Sequence, residues 1–214
     1  MSDEKQILFN EQKKFNLKEF FISNKKTIIA LIIIIFTCLF IAFFYLDYKK
    51  SEKIKISEQY NFAIINYIKT DSEKTILEMK KIIDRKDPTY SPLAFYFLLD
   101  NDLLNNKNEI NRYFDTLIND ISLDTEIKNL IIYKKGLYNS DTANEEEILS
   151  IFKPLINSDN LWKSHTLFII AEYYYSKNQM QKSKEFFEKI LTLENSNPQI
   201  RLEAQKRLQR DFSA

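Results

Sequence analysis

The chain has 214 residues, with 31 Lys and Arg against 30 Asp and Glu, for a net charge of +1 at pH 7. Near-neutrality removes the broad phosphate attraction that drives nucleic-acid binding, and one Gly and four Pro beside 17 Phe and 12 Tyr are too few turn formers for a strand-rich fold. A single His and a single Cys exclude histidine-cluster and thiolate metal sites and any intrachain disulfide.

Residues 1–26 carry six Lys against four acidic residues and include the stretch FNLKEFFISNKK. From Thr27 to Leu46 no charge occurs, and at about 1.5 Å per residue this run matches a bilayer's hydrocarbon core of roughly 30 Å. Its far end reads Phe43-Phe44-Tyr45-Leu46, without the small residues a signal peptidase needs. Cys38 follows Ile35-Phe36-Thr37, a poor lipidation box because Thr37 stands where Gly or Ala is usual. Tyr45 and Tyr48 fit an interfacial belt, and Lys25, Lys26, Lys49 and Lys50 fit snorkelling flanks. The expectation is an uncleaved single-pass anchor over 27–46, a cytoplasmic tail over 1–26 and a translocated domain over 47–214. Five Lys within about 20 residues before the span and four just after it give only a slight orientation bias.

Beyond the anchor, Ile54, Tyr60, Ile64 and Ile68 predict that the membrane helix runs on into the soluble domain. Helical patterns follow over Ser72–Asp84, Pro92–Leu104, Glu109–Ile121, Thr125–Leu137, Ala143–Ile156, Leu161–Ser176, Gln179–Leu193 and Pro198–Phe212. Ser91 before Pro92 and Asn197 before Pro198 read as helix caps, and Thr142 with Glu145 as a capping box. Taken in pairs the helices recur near residues 57, 92, 125 and 161, roughly every 34 residues, the period of tetratricopeptide arrays. The clearest unit is Leu167–Pro198. There Leu167, Ile170, Ala171 and Tyr174 form one face, Ser183, Phe187, Ile190 and Leu191 answer it, and Ile200, Ala204 and Leu208 of the last helix cap the array. Asn178 and Ser183 stand where Gly and Ala are usual. The predicted fold is all-α, one transmembrane helix followed by a tetratricopeptide-like helical-hairpin solenoid.

The order of parts, with Asn160-Leu161-Trp162, the Ala171–Leu191 unit and the closing NPQIRLEAQKRL, resembles the YfgM-like ancillary subunits of the Sec translocon. The resemblance implies a bacterial inner-membrane protein with its domain in the periplasm, associated with translocon subunits, periplasmic chaperones and exported proteins. It brings no catalytic residue, cofactor or metal. This chain departs from the family in having Leu161 where a proline precedes the tryptophan. A scaffold of another envelope complex, serving division or outer-membrane assembly, is the alternative reading.

In the tetratricopeptide alignment His165, Phe168, Glu172 and Tyr175 fall on the concave side of one first helix, and Trp162 leads that helix. These five are the candidate protein-binding residues. Trp162 also fits a packing role between repeats, and His165 that of a partly exposed histidine. Of Tyr173, Tyr174 and Tyr175, helical spacing must leave one ring outside the core, and Tyr175 is expected there. Glu145-Glu146-Glu147 suits a helix N-terminus better than a cation contact.

Overall fold

The computed structural model describes residues 22, 24–69 and 72–212, and among these every regular element is helical. The expected tail and its FNLKEFFISNKK stretch, apart from Ile22, Asn24, Lys25 and Lys26, therefore lie outside the described residues, as does the side chain of Ile68. The chain divides into two units between Lys55 and Ile56, and helix α1, Lys25–Lys69, supplies residues to both.

In the first unit the apolar side chains of α1 meet solvent rather than protein, with Ile32 46% and Phe43 68% exposed. Its most apolar window has a mean hydropathy of 3.1 and is 0% buried. Among the described residues it is the one helix long and apolar enough to cross a membrane. The Thr37 hydroxyl donates back to the Ile33 carbonyl at 2.8 Å, which lets a polar side chain sit in an apolar helix.

The second unit begins in the last turns of α1 and continues through α2 (Ser72–Asp84), α3 (Tyr90–Asp100) and α4 (Lys107–Asp115), which runs into a π-helical turn at Thr116–Asp120. Then come α5 (Thr125–Asn139), α6 (Glu145–Ile156), α7 (Lys163–Ser176), α8 (Met180–Thr192) and α9 (Pro198–Phe212). Three local expectations are corrected. Ser91 is not a cap: it is buried and donates to the Ile82 carbonyl at 2.9 Å. Asp87 instead accepts from the Thr89 and Tyr90 amides at 2.8 and 2.7 Å. The capping box is Asn144 with Glu147 rather than Thr142 with Glu145; Thr142 instead accepts from Lys107. Helix α3 stops at Asp100, not Leu104, because Asp102 turns left-handed at φ 53° and the Leu103 amide donates back to the Leu98 carbonyl at 2.9 Å. Asn178, at φ 56°, ends α7 in the same way, with Gln179 donating to the Tyr174 carbonyl at 2.9 Å. Short polar side chains thus make the turns that glycine usually makes.

Packing repeats along the unit. Ala63, Leu98, Gly136 and Ala171 are each buried on the first helix of a pair. Twelve positions after each come Thr75, Ile110, Ile148 and Ser183, followed by Met79, Phe114, Phe152 and Phe187, then by Ile82, Leu117, Leu155 and Ile190, none more than 3% exposed. Ala204 of α9, 0% exposed, continues the first series. Where the first pair of positions is small, the helices come close. Ser183 donates to the Ala171 carbonyl at 2.9 Å and Thr75 to the Ala63 carbonyl at 3.1 Å. Leu98 and Ile110 hold α3 and α4 further apart, and rings fill the gap, with Phe95 on Phe114 at 4.8 Å.

Three apolar clusters follow from this order. One joins the end of α1 with α2, α3, α4 and Ile131 of α5; the second joins α5, α6 and α7; the third joins α7, α8 and α9. Leu167 and Ala171 face α8 as expected, whereas Ile170 and Tyr174 belong to the second cluster. Ala204 is buried on α9, with Ile200 and Leu208 beside it.

Candidate functional site: a cleft at one edge of the helix pairs

An open cleft of ≈ 880 Å³ lies where the first turn of α5, the α6–α7 loop and the α8–α9 loop meet. Glu126 comes from α5, Asp159 to Trp162 from the first loop, His165 from α7 and Asn195 to Pro198 from the second loop. Glu126, Leu161 and Glu194 each lie ten positions before a buried small residue of the repeat (Gly136, Ala171, Ala204), so the packing register brings these segments to one edge.

Side-chain hydrogen bonds shape both loops. Asn160 donates to the Leu155 carbonyl at 2.9 Å and accepts from the Trp162 amide at 2.9 Å, which sets the tryptophan against the preceding pair: its ring stacks on Tyr133, centroids 5.2 Å apart and planes 28° apart. Asn197 accepts from the Gln199 and Ile200 amides at 3.0 and 3.2 Å, as expected of a cap. Its own amide donates to Ser164 at 3.2 Å, tying the second loop to α7. Leu161, 73% exposed, stands free at the rim.

Two lining residues, Glu126 and Ser196, each carry a side-chain oxygen, Oε2 and Oγ, buried without a hydrogen-bonding partner. Burial also pushes the His165 pKa down, so the ring is neutral at neutral pH. It packs 5.5 Å from Trp162 and edge-on to Tyr133 at 6.1 Å.

The five sequence-predicted residues separate into two groups. Trp162 and His165 line the cleft. Phe168, Glu172 and Tyr175 instead meet neighbouring helices. Phe168 packs on Phe187 of α8 at 5.4 Å. The guanidinium of Arg207 on α9 grips Glu172 through two bonds of 2.6 and 2.7 Å and lies 4.3 Å over the Tyr175 ring, which also meets Phe212 at 6.1 Å. Tyr175 is the half-exposed ring of its triplet, while Tyr173 and Tyr174 are buried. Glu145 does contact a cation, Lys182 at 2.7 Å, and accepts from the Tyr174 hydroxyl at 3.0 Å; burial and then Glu145 raise that phenol to about 12. This contact joins α6 to α7 and α8. Glu126, Tyr133 and Ser196 escaped the sequence reading, because Glu126 and Ser196 belong to helix starts and loops that only the repeat spacing relates.

Comparison with known proteins gives no relative: no family model, curated protein or solved structure matches the chain.

Proposed function

We propose that this protein is a non-enzymatic, membrane-anchored interaction module whose soluble part is a tetratricopeptide-like solenoid that binds other proteins. The observation that carries the reading is the recurrence of one buried set, from Ala63 with Thr75 through Ala171 with Ser183 to Ala204, at roughly 35-residue spacing. Repeats of this kind stack neighbour on neighbour and expose extended surfaces suited to peptides and partner helices. Here equivalent segments of successive pairs build a cleft containing the chain's only tryptophan.

The anchor over 27–46 holds the module at a bacterial inner membrane, with residues 1–26 in the cytoplasm and the domain from 47 onward in the periplasm. The resemblance to the YfgM-like subunits makes the partners translocon subunits, periplasmic chaperones and exported proteins. Support for the anchor comes from an apolar window that is 0% buried.

Two measurements test this reading. A phosphatase active only after export, fused at the C-terminus, should be active in the membrane fraction at full size; activity of a cytoplasm-dependent reporter instead overturns the orientation. Crosslinking and purification in mild detergent should recover translocon subunits and periplasmic chaperones. Recovery of division or outer-membrane assembly proteins instead selects the scaffold role.

A further inference from the structure

We propose that the cleft seats a basic side chain, the guanidinium of an arginine, presented by an extended segment of a partner protein. The proposal rests on the interaction-module reading and names the chemistry that its cleft recognises.

Charge is the first reason. Glu126 and Asp159 both line the cleft, and neither forms an ion pair among the described residues; Lys163 shares an adjoining hollow with Asp159 without pairing to it. The neutral His165 supplies no positive charge. A buried carboxylate oxygen without a donor, such as Glu126 Oε2, destabilises a fold unless a donor reaches it. An anionic ligand would add repulsion.

Shape and donor count choose among cations. No group of three His, Cys, Asp or Glu suited to a metal ion occurs among the described residues, so an organic cation fits better. A guanidinium offers five N–H donors in one plane, and the cleft is lined by the acceptor-bearing side chains of Glu126, Asp159, Asn160 and Ser196. The Trp162 and His165 rings provide aromatic surface on which such a plane stacks. At ≈ 880 Å³ the cleft is larger than one side chain, so adjoining peptide backbone enters with it, beside exposed Leu161.

Trp162, as the only tryptophan, reports occupancy without a label. The full chain in detergent micelles is titrated with capped five-residue alanine peptides carrying arginine, citrulline or glutamate at the centre, following tryptophan emission and, in parallel, calorimetric heat. The arginine peptide should saturate, citrulline should bind at least about tenfold more weakly, about 1.4 kcal/mol, and the glutamate peptide should give no response. Glu126→Gln and Asp159→Asn should each weaken the arginine peptide about tenfold with unchanged circular dichroism, and Glu126→Gln, which removes an unpaired buried charge, should melt no lower than the wild type. Should a variant fail to fold, the wild type decides: raising the salt concentration should erase the preference for arginine over citrulline. Equal binding of arginine and citrulline, no arginine signal by either method, or indifference to both substitutions overturns the proposal. If translocon partners still co-purify in that case, only the cleft assignment falls; if they too are absent, the interaction reading falls with it.

Discussion

Gly136 and Phe152 approach so closely that a Cβ added to the glycine would stand 2.1 Å from Cε1 and Cζ of the ring. Replacing glycine by alanine inside a helix ordinarily gains about 1 kcal/mol. Here the fully buried ring must move, and overpacking of this kind costs about 1–3 kcal/mol. Gly136→Ala should therefore lower the urea midpoint, and adding Phe152→Leu in the same chain should recover part of the loss. A stabilised Gly136→Ala protein would show that the ring has room to turn aside.

Thr75 and Ser183 each donate from the start of a second helix to a first-helix carbonyl, at 3.1 and 2.9 Å, from sites 1% and 0% exposed. Ser183→Ala should cost about 0.5–1.5 kcal/mol, the usual net value of such a bond. Ala171→Leu, by forcing the same helices apart, should cost about 1–3 kcal/mol. The two effects should fall short of additive in the double variant, since both act on one helix contact. Additive losses would mean that the residues act independently.

Arg207 joins α9 to α7, bonding Glu172 twice and lying over Tyr175 and Phe187, and also pairs with Asp211. Arg207→Ala should lower the melting midpoint by about 2–4 °C for each kcal/mol lost. Deletion of residues 198–214 should do more, because it uncovers Leu167, Ala171, Phe187 and Ile190. Limited proteolysis should then cut α8 before α5. An unchanged melt after the deletion would mean that α9 does not cover the third cluster in solution.

Burial holds the His165 pKa below its ordinary value, so the folded protein prefers the neutral ring. As pH falls through about 6.5 the unfolded chain takes up a proton that the folded chain resists, and stability falls; above that pH the difference vanishes. Urea midpoints between pH 5 and 7.5 should therefore decline on the acid side, and His165→Gln should flatten the decline. Glu126 and Asp159 line the same cleft, so neutralising either should deepen it. A midpoint that rises toward acid pH would show that their attraction outweighs burial.

The candidate site was only half legible in the sequence. Trp162 and His165 stood out as the single residues of their kinds, and both line the cleft. Phe168, Glu172 and Tyr175 share their helix, yet contacts with α8 and α9 engage them. Which side of α7 the last helix takes depends on where Ala171 and Ala204 let backbones approach, a property of the assembled third cluster.

The sequence alone determined that the described chain is helical, that one helix is long and apolar enough to cross a membrane, and where most helices begin and end. Composition and periodicity are local quantities, and hydrocarbon length is a count of residues. Tertiary structure decided the rest. Ser91 became a buried donor rather than a cap because α2 offers it the Ile82 carbonyl. Ile170 and Tyr174 turned toward α6 although their spacing matches that of Leu167 and Ala171. Glu126, Trp162 and Ser196 came together across some 70 residues because each helix pair presents the same edge. A helix shows a stripe of apolar residues, but only its neighbours settle which part of that stripe each of them covers.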